Sequence, residues 1–305
     1  MSKNIAILMG GLSGEYDVSL KTGERVAQSL HNIGYRVYPL KVDKNFLNWL
    51  NQNLNKVDIF FNALHGCWGE DGRIQGVLDY TGKPYTHSGV LASALAMNKN
   101  LTRQILISNN LPVAKGKVVI KNSIIEKDII DKPYVVKPIS EGSSLGIRLV
   151  DKNTNLNNIL KSYDKKRVLI EEYIPGRELT VAIKGGEPIG ILEISSKHNI
   201  YDFKSKYIKG TTTYSEPLDI PKNIINYILE ISSKTHEVIG CNGVTRVDIR
   251  YNQKKEKEGV VILEINTQPG LTENSLVPMI AKNKGISFDN LIDWIVKNAK
   301  ENHEK

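Results

Sequence analysis

Residues 260–275 read VVILEINTQPGLTENS: a strand that carries two polar side chains into an apolar run and ends in a Pro-Gly turn. Glu264 and Asn266 stand two positions apart and so share one strand face, while Ile262, Leu263 and Ile265 supply apolar packing. Just upstream, VTRVDIRY (244–251) repeats the pattern, with Arg246 and Asp248 on one face and Val247 and Ile249 on the other. The polar stretch between them, NQKKEKEG (252–259), fits a hairpin connection, which makes the two strands antiparallel neighbours. Four polar groups then converge on one surface. A half-buried carboxylate pair without a cation costs several kcal/mol, so metal is the expected counterion. Asp, Glu and Asn offer hard oxygen ligands only, which suits Mg²⁺ carrying nucleotide phosphates and not zinc. The same residues also fit a solvated amphipathic hairpin whose charges face water.

Working outward, NIAILM (4–9) reads as a buried strand that enters the glycine turn GGLSGE and then a helix over about Asp17–Asn32, with Val18, Val26, Leu30 and Ile33 at helical spacing. GGLSG is not GxGxxG, so a dinucleotide site is weakly supported. YRVYPLKV as strand, FLNWLNQNL as helix and VDIFFNAL as strand continue a βαβ rhythm, the pattern of a small parallel sheet with right-handed crossovers. In such sheets ligands sit beyond the carboxyl ends of the strands, where Glu15 and the loop HGCWGEDG (65–72) fall. By itself His65 also fits a loop histidine capping a helix.

ALAMNKNLTRQILISNNLPV predicts one helix from near Leu95 to Asn110, with Lys99 in its first turns. In VVKPISEGSSLGIRLV (135–150) a strand ends at Lys137 and Pro138, and Gly142, Ser143, Ser144 and Gly146 form a flexible loop before another strand. Gly and Ser leave backbone N–H groups free to approach phosphate oxygens, and Lys137 adds a point charge; a plain hairpin turn fits equally. VLIEEYI and PGRELTVAI contribute Glu171 and Glu178, and NIYDFKSKYIKGTTTYSEP (199–217) is long and polar, as in a lid over a site. Helices are expected from about Ile224 to Val238 and from Phe288 to Ala299.

The 305 residues exceed one typical domain, and 40% hydrophobic residues suffice for real cores. The net charge of +8 is interspersed with 33 acidic residues, and no basic stripe with interleaved aromatics supports nucleic acid as a partner. Two cysteines, Cys67 and Cys241, form no disulfide framework and show no metal-ligand spacing, which points to a reducing cytoplasm. MSKNIAILMGG lacks a signal-peptide cleavage region, and no run reaches the roughly 18 apolar residues a membrane span needs.

Taken together in this order and spacing, VTRVDIR, LEINTQPGLTENSLVP, HGCWGEDG and VVKPISEGSS resemble the D-alanine:D-alanine ligase family, a branch of the ATP-grasp enzymes, from near Asn4 to near Val296. The resemblance implies an α/β fold: a Rossmann-like, parallel-sheet unit over 1–96, then a two-part α+β ATP-grasp fold over 97–180 and 181–305. It implies ATP-dependent joining of two D-alanines through an acyl phosphate, for peptidoglycan synthesis, with ATP and Mg²⁺ or Mn²⁺ (two ions) as cofactors. By the same resemblance Glu15 would hold the ammonium of the first D-alanine beside His65, with Glu70 in the same loop. Glu171 would contact adenine and Glu178 the ribose, whose diol a carboxylate suits. Lys99, Lys137 and Lys206 would face phosphate, and Asp248, Glu264 and Asn266 the metal. Arg246 and the Gly270 N–H would stabilise the oxyanion, and Ser275 with the Leu276 N–H would bind the second substrate's carboxylate. Glu15, Ser143 and Tyr207 resemble the family's hydrogen-bonded trio.

Relatives that form the D-lactate ester depart from the Lys-Tyr pattern which Lys206 and Tyr207 retain, so an amine nucleophile is expected. Cys67 and Trp68 depart from the family's loop. A homodimer is implied. Other readings stay open: another ATP-grasp ligase, which would lack the set Glu15, Ser143, Tyr207 and Ser275; a nucleotide-sensing module; and a nucleic-acid-binding protein.

Overall fold

The structure, a computed structural model, describes residues 3–121, 129–142, 146–196 and 212–301. Ser143, Lys206 and Tyr207 lie outside the described residues. The chain opens as expected with β1 (Asn4–Gly10), α1 (Tyr16–Asn32), β2 (Arg36–Val42), α2 (Phe46–Asn53), β3 (Ile59–Asn62) and α3 (Arg73–Thr81). The strands form a parallel sheet in the order β2-β1-β3. β1 and β3 are buried on both faces because both are covered, whereas the edge strand β2 is largely exposed. Ile5 and Ile7 of β1 enter a core shared with α1 and the C-terminal helices, while Ala6 and Leu8 enter a second core with Phe60, Ile74 and Leu78.

Helix α1 buries Val26 and Leu30 of the apolar stripe its sequence suggests, but the rest of its buried face is small and polar. Its inward face is Ser19, Thr22, Gly23, Val26, Ser29 and Leu30, and Ile33 is exposed. Gly23 explains the close approach, since a Cβ there would lie 2.6 Å from Met9.

The single helix expected from Leu95 to Asn110 is two: α4 (Val90–Met97) and α5 (Lys99–Ser108). Asn98 breaks them because its backbone is extended (φ −91°, ψ 93°) and its side chain accepts the Leu101 N–H, capping the second helix. Lys99 is therefore the first residue of a new helix.

Two antiparallel sheets follow. One has the order β4-β7-β5-β6, from β4 (Gly116–Ile120), β5 (Tyr134–Pro138), β6 (Arg148–Val150) and β7 (Arg167–Glu172), with α6 (Leu156–Lys161) completing its core. The other has the order β10-β9-β8-β11-β12, from β8 (Arg177–Lys184), β9 (Glu187–Ser196), β10 (Thr212–Ser215), β11 (Val244–Tyr251) and β12 (Val260–Asn266). β10 lies in the stretch expected to be lid, so its last part is an edge strand paired to β9. Helix α7 (Lys222–Ile239) packs on one face of this sheet through Ile224, Ile228 and Ile231 against Val247, Ile249 and Ile262. Helices α8 (Leu276–Asn283) and α9 (Phe288–Lys297) join the core that contains Ile5, Ile7 and Phe61, which locks the C-terminal sheet to the N-terminal one.

Candidate active site

β11 and β12 pair antiparallel, with Arg246 opposite Asn266 and Asp248 opposite Glu264. The register shifts between Asp248 and Ile249, so Leu263 is an extra, half-buried residue of a bulge rather than the core contact expected of it. The polar face continues onto β8, where Thr180 stands opposite Asp248 and Glu178 opposite Arg250.

The carboxylates on this face are held by protein groups. Asp248, 9% exposed, accepts from Arg246 at two atoms (Nε 2.8 Å, Nη2 2.7 Å) and from the Thr180 hydroxyl at 2.7 Å. Glu264 meets Lys99 Nζ at 3.1 Å, and the same ammonium donates to the Glu141 carbonyl at 2.8 Å. Lys99 thus ties the loop after β5 to the end of β12. Protein cations thus neutralise part of the charge for which metal is the expected counterion. The donor set nonetheless fits a hard divalent cation, being oxygen only and in adjacent registers, with Asn266 Oδ1 already orienting the Gln268 N–H at 2.8 Å. Among the described residues there is no group of three or more His, Cys, Asp or Glu arranged for metal.

Lys137 and Glu171, both expected to face nucleotide, face each other. They form a buried ion pair, and Arg103 of α5 closes on the other Glu171 oxygen at 3.0 Å. Glu178 pairs with Arg250 at 3.2 Å.

On the N-terminal side, Glu15 precedes the first turn of α1, and His65 is buried in the loop after β3. His65 Nε2 lies 2.9 Å from the Thr22 hydroxyl and Nδ1 3.1 Å from Glu70 Oε1, so both ring nitrogens are committed and the capping role is not what it does. A Cβ on Gly66 would lie 2.6 Å from Glu15 Oε2, and one on Gly142 3.0 Å from it. The Glu15 carboxylate therefore nests between two glycines on different loops. Trp68 has a left-handed backbone (φ 73°), and Cys67 is exposed, with Arg73 Nη1 3.0 Å from its sulfur.

Beyond β12, Ser275 is the N-cap residue of α8 in extended conformation, and Leu276 begins the helix. The Ser275 hydroxyl is set by Thr272, through the Thr272 N–H at 3.0 Å and hydroxyl at 2.8 Å. A Cβ on Gly270 would sit 2.9 Å from Ser275 Oγ. Arg25 of α1 donates to the Leu271 carbonyl at 2.9 Å while stacked 3.7 Å over Phe288, and burial lowers its pKa against the pull of Glu273.

These pieces enclose one cavity of about 810 Å³, whose lining includes Glu15, His65, Lys99, Arg246, Glu264, Asn266, Gly270 and Ser275. Asp248, Lys137, Glu171 and Glu178 are outside its lining. Thr180, Thr22, Arg103 and Arg250 carried no sequence signal, since each matters through a partner distant in sequence, whereas the Thr272–Ser275 pair is local and went unread.

A parallel α/β unit and two antiparallel sheets thus bring acids, amides and cations together in one cavity with a helix N-terminus at its edge. The family models described as "D-ala D-ala ligase C-terminus" and "D-ala D-ala ligase N-terminus" match residues 105–297 and 46–88. The D-alanine–D-alanine ligase of Chelativorans sp. (strain BNC1) is 46% identical over 97% of this chain and 98% of that relative, and that of Pelagibacter ubique (strain HTCC1062) is 45% identical over 99% and 100%. The crystal structure of the Bacillus anthracis D-alanine–D-alanine ligase complexed with ATP superposes with a TM-score of 0.84 at 29% identity, covering 98% of this chain and 97% of that one. The chain belongs to the D-alanine–D-alanine ligase family.

Proposed function

We propose that this cavity joins two D-alanine molecules to D-alanyl-D-alanine at the expense of ATP, a building block for peptidoglycan. The observation that carries the reading is that one cavity is lined jointly by the N-terminal unit (Glu15, His65) and the end of β12 and start of α8 (Asn266, Gly270, Ser275). Its volume of about 810 Å³ lies within the range of small-ligand sites.

The γ-phosphoryl group passes to a carboxylate oxygen of the first D-alanine, leaving ADP and an acyl phosphate. The amine of the second D-alanine attacks that carbonyl carbon, the C–O bond to phosphate breaks, and phosphate leaves as the new nitrogen loses its proton. Glu15 holds the first ammonium, oriented by its place between Gly66 and Gly142. Lys99, Lys137 and Lys206 place and neutralise phosphate oxygens. Arg246 and the Gly270 N–H face the developing oxyanion, where losing one donor raises the barrier by about 3 kcal/mol. Ser275 and the Leu276 N–H receive the second carboxylate, with the partial positive charge of the α8 N-terminus behind them. Glu171 and Glu178 serve adenine and ribose, and Ser143 and Tyr207 complete the trio with Glu15.

Asp248, Glu264 and Asn266 would hold Mg²⁺ or Mn²⁺, two ions, which would supply positive charge to neutralise the phosphate oxygens. Lys99 and Arg246, paired with Glu264 and Asp248 in this structure, would turn to phosphate and oxyanion. The three units are 1–96, 97–180 and 181–305, with β8 crossing the second boundary. The working form is a cytoplasmic homodimer; no helix among the described residues is long and apolar enough to cross a membrane.

The test is ATP-dependent phosphate release with Mg²⁺ and D-alanine, beside L-alanine and beside D-alanine plus D-lactate, with products identified by mass. Release with D-alanine matched by D-alanyl-D-alanine is expected. Absence of release from protein shown to bind ATP would overturn the substrate assignment.

A further inference from the structure

Two side-chain amides are buried where the N-terminal unit meets the end of β12, and nothing in the chemistry above uses them. Asn62, the last residue of β3, is 1% exposed and Gln268, two residues past β12, is 2% exposed. Gln268 donates through Nε2 to the Leu64 carbonyl and accepts the Asn62 Nδ2–H at 2.7 Å. Asn62 Nδ2 also donates to the Gly69 carbonyl at 3.0 Å, and Asn62 Oδ1 accepts the Leu64 N–H at 3.1 Å. A third amide, Gln75 of α3, reinforces the Gly69 carbonyl at 2.8 Å.

The orientation of each amide is forced. The Leu64 carbonyl accepts only, so Gln268 turns Nε2 to it and Oε1 to Asn62; Asn62 then presents Nδ2 there and Oδ1 to the Leu64 N–H. Apolar side chains would seal the same contact, but they would leave the Leu64 carbonyl and the Leu64 N–H buried without these partners, and apolar contact is not directional. Hydrogen bonds weaken steeply away from linearity, so this network sets a register between the two units that packing alone leaves loose.

What it registers is the site. Leu64 immediately precedes His65, and Gly69 precedes Glu70. On the other side Gln268 holds Asn266 Oδ1 through its own N–H and stands two residues before Gly270.

We infer that Gln268 is a positioning residue, whose amide clasp with Asn62 and Leu64 fixes the first-substrate loop relative to the anion-binding turn at Gly270. The inference rests on the ligase reading for its kinetic consequence and on the hydrogen bonds alone for its structural one. Misplacement of reacting groups by about 1 Å can cost on the order of 100-fold in rate.

The experiment combines hydrogen exchange with kinetics on the full chain, for Gln268→Leu and the more adaptable Gln268→Met. Ile183→Val, a core change in the C-terminal sheet, controls for general loss of stability. Expected are faster amide exchange confined to residues 64–70 and the turn 266–270, a 10- to 100-fold fall in kcat/KM for D-alanine, and a KM for ATP within about twofold of wild type. Ile183→Val should show neither the local exchange nor the split. Unchanged exchange at 64–70, or equal changes in the D-alanine and ATP parameters, overturns the inference. A wild-type protein without ligase activity would count against the proposed function, and hydrogen exchange would then decide the clasp by itself.

Discussion

Glu171→Gln tests the buried charge cluster most directly. Glu171, Lys137 and Arg103 are 5%, 6% and 7% exposed, and the carboxylate is the only anion that the described residues place between the two cations. The glutamine keeps the volume and removes the charge, leaving a guanidinium and an ammonium facing a neutral amide away from water. Breaking a buried pair by removing one partner costs about 3–5 kcal/mol, since the remaining charge is uncompensated. At roughly 2–4 °C per kcal/mol, the melting temperature should fall by about 6 °C or more. If Lys137 faces the nucleotide phosphates, ATP restores an anion to it, so saturating ATP should raise the melting temperature of the variant more than that of wild type. Differential scanning fluorimetry with and without ATP and Mg²⁺ measures both effects. A variant that melts within 1 °C of wild type would show that water screens the cluster. A gap that ATP leaves unchanged would show that an anion restored to Lys137 does not outweigh the lost Glu171 contact with adenine.

Burial holds His236, hydrogen-bonded to the Thr245 hydroxyl at 2.8 Å, down at a pKa of about 4. Its folded pKa is below its unfolded one, so stability is lost as pH falls from about 6.5 towards 4, by about 3 kcal/mol in all, and urea denaturation of His236→Gln across that range should lack this slope. Gly66→Ala puts a Cβ 2.6 Å from Glu15 Oε2 at φ +69°, and should destabilise by about 1–2 kcal/mol while cutting D-alanine turnover far more than that loss explains; wild-type turnover would refute the nesting of Glu15. Cys67 is exposed while burial raises the Cys241 thiol to about 12, so a thiol reagent should titrate one cysteine in the native protein and two in denaturant.

Much of the fold is written locally. The alternation in VTRVDIRY and VVILEIN placed Arg246, Asp248, Glu264 and Asn266 on one face, and their observed register confirms it, because a period of two is a property of consecutive residues. The parallel N-terminal sheet was legible for the same reason, from continuous apolar strands separated by helical spacing. The helix boundary at Asn98 was not, since apolar periodicity runs through it and only the backbone conformation there lets the side chain cap the next helix.

What neighbours each carboxylate belonged to the tertiary structure. Asp248 receives Thr180 from 68 residues away, Glu171 receives Arg103 from the same separation, and Gln268 reaches Asn62 across 206. The sequence by itself determined which residues carry charge and which face of a strand they occupy, together with the family they belong to. Only the packing of distant elements decided which ion pairs balance those charges and how the two halves of the cavity are registered, because pairing energies depend on distance and burial that no local pattern encodes.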